Sequence, residues 1–312
     1  MEGERVRYVV GHKNPDTDSI ASAIVLAYFL DCYPARLGDI NPETEFVLRK
    51  FGVMEPELIT SAKGKEIILV DHSEKSQSFD DLEEGKLIAI IDHHKVGLTT
   101  TEPILYYAKP VGSTATVIAE LYFKDAIDLI GGKKKELKPD LAGLLLSAII
   151  SDTVLFKSPT TTELDKEMAK KLAEIAGISN IEEFGMEILK AKSIVGKLKP
   201  EEIINMDFKN FDFNGKKVGI GQVEVIDVSE VESKKEDIYK LLEEKLKNEG
   251  YDLIVFLITD IMKEGSEALV VGNKEMFEKA FNVKVEGKSV FLEGVMSRKK
   301  QVVPPLEKAY NG

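Results

Sequence analysis

The stretch Leu87-Ile88-Ala89-Ile90-Ile91-Asp92-His93-His94 predicts both the fold class and the kind of site that this chain builds. Its five apolar residues are typical of a strand buried inside a sheet, and three residues able to bind a metal follow at once. Apolar runs also stand at 7–10, before the loop 11–18, and at 66–70, before Asp71-His72. Ligands of open α/β sheets bind beyond the carboxyl ends of the strands. Three strands that end in Asp and His therefore predict one shared site for divalent Mn, Co, Mg or Zn.

Composition limits the classes of protein to consider. The chain has 312 residues, of which 43% are hydrophobic and 31% charged, as in a globular protein of one or two domains. The single cysteine, Cys32, excludes a disulfide within the chain and a thiolate metal cluster. A formal net charge of −12 argues against general nucleic-acid binding, which usually needs a basic face. No apolar run is long enough for a membrane span, and residues 1–5 precede no apolar signal core, so we expect a cytoplasmic enzyme.

Strand and helix signals alternate over the first half of the chain. Beside the three strands, helices are expected at 19–30, from 112 to 123, at 140–150 and at 162–176. This alternation predicts an α/β fold with a doubly wound, mainly parallel sheet.

A second α/β pattern follows a basic, turn-prone segment. Strands are expected at 217–226, 253–258 and 268–271, and a charged helix at 233–249. We therefore predict a first domain over 1–189, a linker or hinge over 190–200, and a smaller α/β domain over 201–312.

Each acidic residue of the predicted site has an ordinary structural explanation when it is considered alone. Asp16 or Asp18 is as typical of a helix cap, and Asp71 or Asp152 of a turn. The combination favours a metal site, because gathering so many carboxylates without cations would be costly. His72 is a weaker candidate, since neighbours in an extended segment point in opposite directions.

A cationic run, Ser297-Arg298-Lys299-Lys300-Gln301, stands near the C-terminus. Arginine binds phosphate in a bidentate manner and lysine supplies a compact charge. Such a run is common on solvated surfaces, and Lys209 is no more specific by itself.

Taken together, these motifs resemble the manganese-dependent (family II) inorganic pyrophosphatases of the DHH phosphoesterase superfamily, over essentially the whole chain. The motifs are GHKNPDTD at 11–18, VDHSE at 70–74, DHH at 92–94, GSTAT at 112–116, SDT at 151–153 with FKSPT at 156–160, and SRKKQ at 297–301. The DHH run marks only the superfamily, whereas its occurrence together with SRKKQ is specific to the family. No regulatory module interrupts the chain between the early motifs and the linker, so it is similar to the short, unregulated form.

The resemblance implies a DHH-type catalytic domain and a DHHA2-type substrate-binding domain. It implies an inorganic diphosphatase that hydrolyses pyrophosphate to two phosphates through a dinuclear metal site and a metal-bridging hydroxide. It also implies two Mn²⁺ (or Co²⁺) ions per subunit, Mg²⁺ accompanying the substrate, and a homodimer formed through the sheet edge of the first domain.

The resemblance further implies a role for each site residue. One metal would be bound by His12 and Asp16, the other by Asp18, His93 and Asp152, and Asp71 would bridge the two. His94 would face the substrate and is a candidate general acid. The phosphoryl oxygens would be held by Lys209, Arg298 and Lys299; Lys300 could share the role of Lys299, and Gln77 could support the metal ligands.

Three alternatives remain at this stage. A DHH-superfamily nuclease or oligonucleotide phosphodiesterase would share the first-domain motifs, but it would normally carry a Gly-rich, His-containing motif in its second domain. A short-chain exopolyphosphatase on the same fold differs in its preference for tripolyphosphate. A non-catalytic regulator is expected to have lost a motif residue, and none is lost here.

Overall fold

The structure is a computed structural model that describes residues 5–193 and 195–312. The described residues divide into two compact units, one ending at Lys192 and the other beginning at Ser193. The division falls inside the segment predicted as a linker, although residues 190–192 still belong to a helix. Ile194 in that segment, and residues 1–4 of the predicted first domain, lie outside the described residues.

The first unit contains a six-stranded sheet and most of the long helices. Its strands are β1 (Arg7–Val10), β2 (Tyr33–Arg36), β3 (Glu57–Leu58), β4 (Glu66–Val70), β5 (Lys86–Asp92) and β6 (Leu105–Ala108). Its helices are α1 (Thr17–Leu30), α2 (Pro42–Phe51), α3 (Thr114–Phe123), α4 (Pro139–Thr153), α5 (Glu163–Ala176) and α6 (Ile181–Lys192).

The strand order β3-β2-β1-β4-β5-β6 places the three strands singled out in the sequence side by side. All five pairings are parallel, which confirms the predicted parallel α/β sheet. The order reverses between β1 and β4, and such a reversal opens a crevice at the carboxyl ends of the strands. The loops that follow β1, β4 and β5 therefore meet at one edge of the sheet.

The two faces of this sheet are covered differently. Val9, Ile68 and Ile91 face the core that the helices build, whereas their neighbours Val10 and Ile90 face a smaller core on the other side. Short 3-10 turns and loops cover that second face, because the connection from β4 to β5 forms 3-10 turns at 75–77 and 82–84 and contains no α-helix. A doubly wound sheet usually has helices on both faces. Here the reversed strand order is present, but the β4–β5 connection lacks its helix.

The second unit is a five-stranded mixed sheet with helices on both faces. Its elements are α7 (Pro200–Asn205), β7 (Phe208–Phe213), β8 (Lys216–Val225), α8 (Ser229–Glu232), α9 (Lys235–Glu249), β9 (Leu253–Asp260), β10 (Gly265–Gly272), α10 (Lys274–Phe281), β11 (Ser289–Glu293) and α11 (Val303–Asn311). The strand order is β11-β10-β9-β8-β7, and β8 runs parallel to β9 while the other pairs are antiparallel. This confirms the second α/β domain.

Within the described residues, no helix is both long enough and apolar enough to cross a membrane.

Candidate metal centre

The loop after β1 brings three of the predicted residues into the crevice. Asp16 is the N-cap of α1, where its Oδ1 accepts a hydrogen bond from the Ser19 N–H at 3.0 Å. Its other oxygen, Oδ2, lies 3.6 Å from His12 Nε2. Asp16 is therefore a helix cap and a site residue at once. Asp18 lies in the first turn of α1 and is completely buried.

Asp71 lies at the centre of the crevice. It follows β4 directly, with its backbone in the left-handed region at φ 63°, which aspartate tolerates better than most residues. Oδ2 of Asp71 lies 3.4 Å from His12 Nε2, and Oδ1 lies 3.4 Å from His93 Nε2. The backbone at Asp71 is thus not extended, contrary to the expectation that made His72 a weaker candidate. His72 nevertheless turns back, with its Nδ1 2.9 Å from the Val70 carbonyl oxygen.

The two histidines after β5 have different surroundings. His93 Nδ1 lies 2.9 Å from the Val111 carbonyl oxygen, which can only accept, so Nδ1 carries the hydrogen and Nε2 faces the carboxylates. The His94 side chain is 47% exposed, and its Nδ1 bonds Asp92 Oδ1 at 3.0 Å. The same Asp92 oxygen accepts from the backbone N–H groups of both histidines. Asp92, which the sequence alone suggested as a metal-binding residue, therefore fixes the turn instead and belongs to none of the donor groups of the described residues.

Asp152 reaches the site from a helix rather than from a loop. The sequence placed Ser151-Asp152-Thr153 after a helix, but these residues form the last turn of α4. The helix ends at Val154, whose backbone is left-handed at φ 48°. Asp152 Oδ2 lies 3.9 Å from His93 Nε2.

The six predicted metal ligands form two donor groups that share Asp71. In each group, one ligand atom per residue lies within 4.8 Å of the others. The first group is His12, Asp16 and Asp71; the second is Asp18, Asp71, His93 and Asp152. His94 makes a further group with Asp71 and His93.

Electrostatics show that these groups suit divalent cations. Burial, and then the charge of Asp71, raises the pKa of Asp18 to about 7. Burial, and then the charges of Asp18 and Asp71, raises the pKa of Asp152 well above its ordinary value. Burial would raise the pKa of Asp71 too, but its close contacts with the His12 and His93 rings outweigh burial and hold that pKa low. Crowded carboxylates are stable as anions only beside positive charge, which a divalent ion supplies.

The histidines of the site carry the opposite shift. Burial would lower the pKa of His12, but the contacts with Asp16 and Asp71 raise it to about 10. Burial acts in the same way on His93, where contacts with Asp71 and Asp18 raise the pKa to about 9. The buried His93 Nε2 has no hydrogen-bond partner in the described structure. Imidazole and carboxylate donors in this arrangement fit Mn²⁺ or Co²⁺.

The N-terminus of α3 supports the site through backbone groups. The Thr114 N–H donates to Asp18 Oδ2 at 2.6 Å, and the Ala115 N–H donates to Asp18 Oδ1 at 2.9 Å. The Thr114 hydroxyl donates to Asp71 Oδ1 at 3.1 Å. Sequence reasoning missed these contacts, because a backbone N–H has no signature of its own. The one feature of the sequence that indicates a helix N-terminus here is Ser113, a typical N-cap residue before an apolar run.

Asp165 in turn fixes the segment before α3. Its carboxylate accepts from the Gly112 N–H at 3.0 Å and from the Thr116 hydroxyl at 2.6 Å. A Cβ atom on Gly112 would lie 2.6 Å from Thr153 Cγ2 and 3.0 Å from the Asp165 carboxyl carbon, so only glycine fits there.

The predicted phosphate-binding cations lie in the second unit. Arg298 begins a short π-helix, Arg298–Val302, and its guanidinium pairs with Asp207 Oδ1 at 2.9 Å. Arg298 Nη1 also lies 3.5 Å from the Ile220 carbonyl oxygen, and Ile220 is the ladder partner of Lys209. Arg298 therefore lies beside the strand that carries Lys209.

The remaining predicted residues are exposed. Lys209, Lys299 and Lys300 have exposed side chains. Gln77 is exposed as well, and its backbone carbonyl accepts a hydrogen bond from the Lys13 N–H at 2.8 Å. The structure thus holds the loop 11–18 through the backbone of Gln77.

Two domain families match the chain in the order that the sequence motifs indicated. The N-terminal domain of the DHH family matches residues 7–149, and the DHHA2 domain matches residues 186–309. The chain therefore belongs to the DHH superfamily.

Full-length relatives define the family more closely. A manganese-dependent inorganic pyrophosphatase from Methanocaldococcus jannaschii is 98% identical over 307 residues, covering 98% of this chain and 100% of that protein. One from Methanothrix thermoacetophila is 45% identical over 313 residues, covering 97% of this chain and 98% of that protein. A crystal structure assigned to a Methanococcus jannaschii family II inorganic pyrophosphatase is 98% identical, covers 98% of this chain and 100% of that chain, and has a TM-score of 0.65. The chain belongs to the manganese-dependent (family II) inorganic pyrophosphatases, a family of inorganic diphosphatases, as its motifs indicated.

Proposed function

We propose that this chain hydrolyses pyrophosphate to two phosphates at a dinuclear metal centre in its first unit, with Mn²⁺ as the resident ion. The position of Asp71 carries the proposal. Its two oxygens face different donor groups, as a carboxylate that bridges two ions would require. The similarity to manganese-dependent inorganic pyrophosphatases supports the same reaction.

In this proposal His12 and Asp16 hold one ion, Asp18, His93 and Asp152 hold the other, and Asp71 holds both. Co²⁺ is compatible with the same donors, and Mg²⁺ would accompany the phosphates of the substrate. When bound, two such ions would lower the pKa of a water so that hydroxide is available as the nucleophile, and they would neutralise phosphate charge.

His94 is the proposed general acid for the leaving phosphate. Its Nδ1 is engaged by Asp92, so Nε2 remains to hold the proton. The bond with Asp92 also raises the pKa of His94, which keeps the ring protonated closer to neutral pH. The half-exposed ring can exchange that proton with solvent after each turnover.

Lys209, Arg298 and Lys299 are the proposed phosphate ligands, and Lys300 could share the role of Lys299. A guanidinium and two ammonium groups would stabilise the charge that spreads over the transferred phosphoryl group. Gln222 supports this assignment, because its Oε1 accepts from the Arg298 N–H at 3.1 Å and its Nε2 donates to the Met296 carbonyl at 3.0 Å. These bonds hold the cationic segment against β8.

We also propose that the protein forms a homodimer, as the resemblance implies, and that it is cytoplasmic, as its sequence predicts. β3 and β6 are the edge strands of the first sheet, and either could pair with a second copy. Light scattering of the purified protein would give its mass in solution.

A phosphate-release assay tests the proposed reaction. Purified protein would be supplied with Mn²⁺, Co²⁺ or Mg²⁺, and with pyrophosphate, tripolyphosphate or a short oligonucleotide. We expect the fastest release from pyrophosphate with Mn²⁺ or Co²⁺. Faster release from tripolyphosphate would favour an exopolyphosphatase, and cleavage of the oligonucleotide would favour a phosphodiesterase.

A further inference from the structure

Glu43 is a completely buried glutamate that has no part in the proposed reaction. It lies in the first turn of α2, after the N-cap Asn41. A glutamate is almost never fully buried unless it is paired. In the described part of the chain, neither a lysine nor an arginine pairs with it, and its Oε2 has no hydrogen-bond partner. Burying a carboxylate in this way lowers the stability of the folded state. Natural proteins retain such unfavourable groups mainly at functional sites, which indicates a functional role for Glu43.

The other oxygen of Glu43 is engaged by two hydroxyl groups. Oε1 accepts from Thr17 Oγ1 at 2.5 Å and from Ser151 Oγ at 2.5 Å. Thr17 Oγ1 also lies 3.2 Å from Thr44 Oγ1, so Thr44 can donate to it while Thr17 donates to Glu43. All four side chains are buried.

Both hydroxyl donors are adjacent in sequence to predicted metal ligands. Thr17 stands between Asp16 and Asp18, which belong to different donor groups. Ser151 directly precedes Asp152. The contact from Glu43 to Ser151 spans 108 residues of sequence. One carboxylate therefore connects the start of α1 with the end of α4.

We infer that Glu43 is a positioning residue for the metal centre, which sets the separation of the ligands on α1 from the ligand on α4. The inference rests on the proposed function, since it concerns the same ions. Without the shared acceptor, the ends of α1 and α4 would lose the polar link that runs through Glu43 of α2, and the position of Asp152 relative to Asp18 would be less tightly fixed. Residues that orient ligands from behind typically change metal affinity by roughly 10–100-fold when they are removed.

Mn²⁺ titration calorimetry of the full chain, without substrate, tests this role. Glu43→Ala should lower the affinity for both Mn²⁺ ions by roughly 10–100-fold. Ser151→Ala should weaken mainly the ion of the Asp152 group, and Thr17→Val should weaken both. Glu43→Gln keeps an acceptor oxygen and should recover most of the affinity. The exposed Glu45, in the same helical turn, provides the matched control Glu45→Ala.

The outcomes separate the inference from the proposed function. Failure of the unaltered chain to bind Mn²⁺ would overturn both. If the unaltered chain binds two ions and Glu43→Ala and Thr17→Val bind them equally tightly, only the positioning role is refuted. A lower unfolding temperature with unchanged affinities would likewise reduce Glu43 to a structural residue. Should Glu43→Ala not fold, the nearly isosteric Thr17→Val carries the test.

Discussion

Replacing Asp71 by alanine should weaken both metal ions at once, whereas His12→Ala should weaken mainly one. The reason is geometric, because Asp71 belongs to both donor groups and His12 to the first. Residues that only orient a metal ligand typically contribute roughly 10–100-fold to metal affinity. We therefore take the loss of a ligand itself to weaken the binding of each ion that it holds by about 100-fold. At a Mn²⁺ concentration of about 100 times Kd, each ion stabilises the folded state by about 2.7 kcal/mol. A 100-fold weaker ion would contribute about 0.4 kcal/mol at the same concentration.

Asp71→Ala should therefore lose about 4.6 kcal/mol of Mn²⁺-dependent stabilisation, and His12→Ala about half of that. For a unit of this size, about 1 kcal/mol shifts the unfolding temperature by roughly 2–4 °C. Calorimetric titration would give the affinities, and thermal unfolding with Mn²⁺ or with a chelator would give the stabilisation. Two ions bound at full strength by Asp71→Ala would refute the bridging position.

Three further predictions concern the proton, the pH and the substrate. His94→Gln should keep metal binding but lower kcat by roughly 10²–10⁴-fold, while His93→Gln should weaken the metal; interchanged effects in titration and turnover would contradict both roles. Without Mn²⁺, protonated His12 and His93 stabilise the folded state, because their pKa values of about 10 and about 9 lie above the ordinary value. This stability is fully present below pH 6.5 and should be lost as the pH rises through those two values. Thermal unfolding of chelator-treated protein should therefore occur more easily at pH 10 than at pH 6.5. Arg298→Ala should raise KM and lower kcat for pyrophosphate. The exposed Lys308 provides the control Lys308→Ala. Equal kinetic constants for the two variants would contradict the assignment of Arg298 as a substrate ligand.

Much of the candidate site could be predicted because its residues stand at the ends of local patterns. The apolar runs before Gly11, Asp71 and Asp92 identify strands, and the carboxyl ends of parallel strands meet at one edge wherever the fold is α/β. The loop 11–18 illustrates the limit of such reasoning. The sequence offered a helix cap and a metal ligand as competing explanations of Asp16. In the structure one oxygen caps α1 and the other faces His12 in the first donor group, so the two explanations are compatible.

The parallel sheet, the second α/β unit and the set of acidic and imidazole residues could be predicted from the sequence alone, because hydrophobic periodicity and residue chemistry are local properties. How those residues are held depends on contacts between distant segments of the folded chain. The Thr114 N–H reaches Asp18 across 96 residues, and the Ser151 hydroxyl reaches Glu43 across 108. Neither contact has a periodic signature, because a hydrogen bond between distant segments depends on how helices pack and not on the residues beside them. The two Asp71 oxygens likewise face different donor groups from a left-handed turn after β4, where the Asp71 N–H donates to the Ile91 carbonyl of β5 at 3.1 Å.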